Sequence, residues 1–286
     1  MNAWTTLVSD NPMLAEFYRR ARRFALSKNN RQNILISAGS LILVYVMFVL
    51  VFAQAPFFQA WGIAIVKLPL FAVVVPLVIH GAVAGERDKR SWDAICAAPL
   101  TDAQIVAGKF LSCVAVIAFI DILFLPVQLA CLTMEKDTDR MVDLVAMGRL
   151  DLYTTAMALF IAAVTFLASA RSKRPFTALG AVIGLFAGMM AVSIITVMGS
   201  NEAFHSRFYT PIVALFNPIV HVSAIIWRPD QNDEWVKAVS GGVPFVPEFG
   251  AVIYLLLGAA ALVFATKTLH HADHEAIVSP QAKKNA

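Results

Sequence analysis

The chain has 286 residues, 59% hydrophobic and 15% charged, with a formal net charge of +4 and a mean hydropathy of +0.70. Soluble domains carry about 25% charged residues, so the composition excludes an ordinary soluble or nucleic-acid-binding domain and indicates an integral membrane protein. Cys96, Cys113 and Cys131 show no CxxC spacing; they read as small buried hydrophobes and imply no disulfide framework.

Residues 1–32 have no apolar core and no small-residue cleavage site, so no cleavable signal peptide is expected. The run from Asn33 to Ala53 should act as an uncleaved anchor. Before it, residues 12–31 read PMLAEFYRRARRFALSKNNR. Asn11 is placed to cap a helix with Pro12 at its first position. Leu14, Phe17, Ala21, Phe24 and Ala25 share one face, and the arginines fall elsewhere. This pattern predicts an amphipathic helix lying in the inner interface against anionic headgroups.

A span needs roughly 20 apolar residues. Six runs qualify, at about 33–55, 62–84, 105–133, 149–170, 176–199 and 246–266. No alternating ten-residue pattern suggests a barrel. The expected fold is an all-α integral membrane protein with six transmembrane helices. Pro69, Pro76 and Pro126 fall inside spans and should kink them.

Basic residues set the orientation. With the N-terminus inside, the inner segments hold Arg19, Arg20, Arg22, Arg23, Lys28, Arg31, Arg87, Lys89, Arg90, Lys109, Arg171, Lys173, Arg174, Lys267, Lys283 and Lys284, sixteen of the 23. Both termini are therefore expected in the cytoplasm, with the chain in the cell's inner membrane. The expected domains are a cytoplasmic N-terminus at 1–32, a transmembrane unit at 33–266 and a cytoplasmic tail at 267–286. An outer connection at 200–245 contains the apolar stretch 208–227, which holds Pro211, Asn217, Pro218 and His221. Those residues are costly in lipid, and a seventh span would put the tail outside. A partly inserted or outer-surface helical hairpin is expected instead.

Residues 86–109 read ERDKRSWDAICAAPLTDAQIVAGK, a polar segment between two spans. Ser91 is placed to cap a short helix ending before Pro99, and Thr101 or Asp102 to cap the next span. Trp92, Ile95 and Leu100 are its apolar residues, read either as interfacial anchoring or as a docking surface for a soluble partner. Gly108-Lys109 is not a P-loop, since the first glycine would be Ala103 and the hydroxyl residue is Phe110. No nucleotide motif is visible, and no catalytic residues or bound cofactor are expected.

Gly180, Gly184 and Gly188 recur every four residues in the fifth run and would let a helix approach closely, within the chain or at a subunit interface. Asp121 is an acid deep in an apolar run, with Lys67, His80 and Gln128 as candidate partners. It reads as a proton or cation site or as a structural hydrogen bond. His270 and His274 have i, i+4 spacing beside His271, but no fixed third ligand is evident, and a solvated tail without a metal is the simpler reading.

The polar segment resembles the cytoplasmic loop of the ABC type-2 permeases, membrane subunits of a large class of ABC exporters. That pattern runs roughly E-R-E-x-G-T, a short apolar helix, P-L-S/T, and I-x-x-G-K entering the next span. Glu86, Arg87, Asp88, Ser91, Trp92, Asp93, Pro99, Leu100, Thr101, Ile105, Gly108 and Lys109 fall in register. Arg90 stands where the family has Gly, and Ala94 where a larger apolar residue is usual. The amphipathic first helix, the six spans and Asn217-Pro218 before the last span are similar too. The resemblance implies that residues 85–104 form a coupling helix resting on a separate ATP-binding subunit. ATP and magnesium would bind there, and a second copy or a related permease would complete the path in the lipid bilayer. The competing expectation is a secondary transporter using Asp121 as its proton or cation site.

Overall fold

The computed structural model describes residues 11–26, 46, 60–92, 95, 97, 100–134, 140–198, 218, 221, 222, 225 and 247–282. Every regular element among them is helical: α1 (Pro12–Leu26), α2 (Ala60–Ile79), α3 (Ala84–Asp88), α4 (Asp102–Met134), α5 (Arg140–Arg171), α6 (Pro175–Met198) and α7 (Pro247–Ala282). Five stretches are long and apolar enough to cross a membrane: Val66–Asp88, Asp102–Ala130, Leu144–Arg171, Pro175–Val192 and Phe249–Leu269. The first expected span, 33–55, lies outside the described residues except for Val46, which is helical. The sixfold count therefore rests on sequence, and the structure describes five of the six.

Local chemistry sets the helix ends. Asn11 Oδ1 accepts the Met13 amide at 3.0 Å, with Pro12 at the first helical position, where its missing N–H is no loss. Thr101 and Gln104 form a reciprocal capping box at the start of α4. Gln104 Oε1 accepts the Thr101 amide at 2.9 Å, and Thr101 Oγ1 accepts the Gln104 amide at 3.3 Å. Of the two caps expected, Thr101 serves. Pro175 and Pro247 open α6 and α7 in the same way as Pro12.

Two helices outrun their apolar runs. α5 begins at Arg140 rather than near 149, because Arg140, Asp143 and Arg149 lower hydropathy without breaking a helix. α7 continues through the expected tail to Ala282, since no glycine or proline intervenes between Gly258 and Pro280. α2 is shorter than expected. It stops at Ile79, the chain turns at His80–Val83, and α3 resumes at Ala84.

α5 is the centre of the bundle and packs against α2, α3, α4, α6 and α7. Within its membrane-length stretch 61% is buried, against 17–33% in the other four. Alanines 156, 158, 162, 163 and 170 keep it slim. At Gly258 of α7 an added Cβ would lie 3.5 Å from the Phe160 backbone, so α5 and α7 touch closely there. Tyr153, Phe160, Phe186 and Tyr254 form a contiguous aromatic set around this contact. Apolar side chains turned outward, such as Ile122, Leu152, Leu185 and Leu256, are what a lipid-facing surface requires.

Candidate functional site

The loop joining α2 to α4 is bolted to the bundle. The turn at residues 80–83 interrupts the helical ladder and frees backbone groups that must find partners. Ser169 of α5 supplies three. Its Oγ accepts the Val83 and Ala84 amides, each at 3.1 Å, and its hydroxyl donates to the His80 carbonyl at 2.8 Å. Lys109 Nζ donates to the Ala82 carbonyl at 2.6 Å and pairs with Glu86 Oε1 at 2.6 Å. Arg87 donates to the Ala170 carbonyl at 2.6 Å.

α3 ends in a Schellman motif. The Ser91 amide donates to the Glu86 carbonyl at 2.9 Å and the Arg90 amide to the Arg87 carbonyl at 3.1 Å. Arg90 holds the left-handed position, with φ of 55°. This is the turn at which the resembling family carries glycine. The Ser91 hydroxyl points back to the Glu86 carbonyl at 3.3 Å.

Trp92 turns inward. It is 6% exposed, belongs to the main core, and has the Arg87 guanidinium 5.4 Å from its ring centre. Ile95 and Leu100 are half-buried against the same core. The outward surface is Asp88, Lys89, Arg90, Ser91, Ala97 and Thr101. Asp93 and Pro99 lie outside the described residues.

A second constellation sits at the opposite, far end of the bundle. Lys67 of α2 is 1% exposed, with Nζ 3.0 Å from Asp121 Oδ1 of α4 and 2.6 Å from Asp151 Oδ1 of α5. Thr155 donates to Asp121 Oδ2 at 2.8 Å, and Gln128 Nε2 donates to Asp151 Oδ1 at 3.0 Å. One ammonium thus ties three helices, and the cluster has a formal charge of −1. Of the candidate partners of Asp121, Lys67 meets it and Gln128 meets Asp151 instead. His80 sits at the loop end of α2, with Nδ1 2.9 Å from the Leu77 carbonyl. Asp151 was not singled out in the sequence because it stands at the polar edge of its run. The signal available was Asp151 one turn before Thr155, the spacing that puts both on one face.

Of the outer connection, Pro218, His221, Val222 and Ile225 are helical and buried. The His221 ring stacks on Tyr153 with centroids 5.2 Å apart, and a side chain at Gly250 would collide with it. His221 therefore packs against α5 at Tyr153, two residues beyond Asp151, and against the first turn of α7 at Gly250. Gly180, Gly184 and Gly188 face outward, with no described neighbour within 4 Å of an added Cβ. The side chains of His270, His271 and His274 lie outside the described set. Among the described residues no three His, Cys, Asp or Glu side chains gather as a metal site.

A family model described as ABC-2 family transporter protein matches residues 24–270. No curated protein matches the chain.

Proposed function

The chain belongs to the ABC-2 family of transporter proteins, and on that premise we propose that it is the permease subunit of an ATP-driven exporter. It is a multi-pass membrane permease of an ABC transporter, the subunit that is not the enzyme. Two permeases, identical or related, would form the path. Separate ATPase subunits would hold ATP and magnesium and dock on residues 85–104. The basic loop end would face the cytoplasm and the Lys67 end the outside. Residues 208–227 would then dip into the outer leaflet without crossing.

The observation that carries this reading is the clamp on the loop. A surface that transmits force must not yield under it. Ser169, Arg87 and Lys109 attach the loop to α5 and α4, so a push on it is delivered to the bundle. Docking falls to the exposed turn Asp88, Lys89, Arg90 and Ser91, while Glu86, Arg87 and Trp92 hold that turn in place.

Co-purification from native membranes should recover an ATPase subunit. Reversing two charges, Lys89→Glu with Arg90→Glu, should weaken its binding at least about tenfold, the scale of a disrupted interface charge pair, with the chain still folded. Trp92→Glu should instead lower the folded yield of the chain alone, because it buries a charge. A fully active transporter purified without any ATPase would sink the reading.

The second reading, ion-coupled secondary transport through Asp121, draws on the far-end cluster. Lys67 between both acids favours a structural tie. Asp121→Asn alone, which leaves Lys67 paired with Asp151 at 2.6 Å, should leave ATP-driven transport in place; loss of ATP dependence in the unmodified protein would favour the ion-coupled reading.

A further inference from the structure

We propose that the basic face of α1 holds anionic phospholipid headgroups and passes their position to the docking loop through Gln104. The second half of this inference rests on the permease reading; the first does not.

α1 carries Arg19, Arg20, Arg22 and Arg23 against a single acid, Glu16. Arg19, Arg22 and Arg23 are exposed. Glu16 lies 3.6 Å from Arg19 and 3.9 Å from Arg23, whose side chains remain 62% and 73% exposed. Such loose surface pairs leave the positive field largely intact. Tyr18, 68% exposed, stands among the arginines, an amphipathic ring suited to headgroup depth.

The location is set by the join to α4. Asn11 is 1% exposed. Its Oδ1 caps α1, and its Nδ2 donates to the Gln104 carbonyl at 2.8 Å. A Cβ at Gly108 would lie 2.7 Å from Met13 Cβ and 3.0 Å from Asn11 Oδ1, so only glycine admits this approach. Gly108 is about 9 Å along α4 from Asp102, at 1.5 Å per residue. α1 therefore starts at the level where a span leaves the interface.

Beside it, between α1, α2 and α4, runs a cavity of ≈ 340 Å³ lined by Met13, Val78, Ile79 and Val116, and also by Glu16, Glu86 and Lys109. The apolar part of this cavity suits an acyl chain, while the acidic headgroup falls to the exposed arginines of α1 and not to the cavity, which Glu16 and Glu86 also line.

Gln104 makes the link. Its carbonyl holds Asn11, while its side-chain oxygen accepts both the amide and the hydroxyl of Thr101, at 2.9 and 3.2 Å. Thr101 closes the docking loop. Whatever draws α1 toward the membrane surface therefore pulls on the residue that ends that loop.

The test places the full chain in vesicles of phosphatidylcholine, with and without phosphatidylglycerol. The three native cysteines are replaced, and Tyr18→Cys carries a fluorophore. Nitroxide-labelled phosphatidylglycerol should quench it more strongly than nitroxide-labelled phosphatidylcholine. The preference should vanish in Arg19→Gln/Arg22→Gln/Arg23→Gln, each arginine contributing about fivefold in partition. Equal quenching by both lipids, or a preference that survives the triple change, overturns the lipid site. With the ATPase assembled, its turnover should rise several-fold with phosphatidylglycerol. Asn11→Ala, and Gly108→Ala as a second variant, should abolish that response while the quenching preference persists. A response unchanged in both variants overturns the link. Preferential quenching in a chain that never recruits an ATPase upholds the lipid site and refutes the permease reading.

Discussion

Arg90 sits at a left-handed backbone position that costs a non-glycine residue about 1–2 kcal/mol. Arg90→Gly should therefore raise the chain's melting temperature in detergent, and Arg90→Val should lower it; no change in either would mean that the turn is not held at that φ. The resemblance made position 90 notable, as an arginine where glycine is usual. Only the backbone shows why glycine fits: the Schellman bonds from Ser91 and Arg90 fix the turn whichever residue fills it. Lys67 offers the opposite case. Removing one partner of a buried ion pair costs about 3–5 kcal/mol, so Lys67→Met should sharply reduce folded yield. Adding Asp121→Asn and Asp151→Asn should recover part of it, as measured by monodisperse protein after extraction. Asp121 stood out in the sequence because an acid interrupts an apolar run. Asp151 did not, because its role depends on where α5 lies and not on its neighbours in the chain.

At the scale of elements, the apolar runs were legible and the break between α2 and α3 was not. Runs of about 20 apolar residues announce themselves because lipid tolerates little else. The break at residues 80–83 is stabilised by Ser169, 86 residues away from Val83, and no local pattern encodes that. Ser169→Ala should leave two amides and one carbonyl of the turn without their partner. At about 1 kcal/mol or more for each unsatisfied buried group, the cost should be roughly 2–3 kcal/mol. The turn should then exchange its amide hydrogens faster than α5 does, which hydrogen exchange of residues 80–91 would detect. Protection as strong as in the unmodified chain would show that the clamp is not what holds the loop. The docking segment was recognisable as a segment, but the direction of Trp92 was not: an indole in a polar loop suits an interface equally well on either side.

For the whole molecule, the distinction that matters is between faces already packed and faces still open. Gly258 lies in the α5–α7 contact, whereas Gly184 has no described neighbour. Gly258→Ile should destabilise the chain by about 1–3 kcal/mol through overpacking. Gly184→Ile should stay within about 0.5 kcal/mol, as at an unpacked site. Equal losses, compared by thermal unfolding, would mean that the α6 face is packed within the chain. Composition identified the membrane class and helical fold, but not that α5 is the hub, because the hub is defined by contacts among all the others. The hub also has a consequence for how the protein is made. Membrane chains emerge N-terminus first, so α2 reaches the bilayer carrying Lys67 before Asp121, 54 residues later, exists. Asp151 comes later still. Until both arrive, the lysine carries an insertion penalty of about 2.5–3.5 kcal/mol. α2 is thus committed retroactively, its place secured only when ribosomes have finished α5. In a chain truncated before Arg140, α2 should span the membrane in a smaller fraction of molecules, scored by an engineered glycosylation site beside its Lys67 end, and Lys67→Leu should restore full insertion.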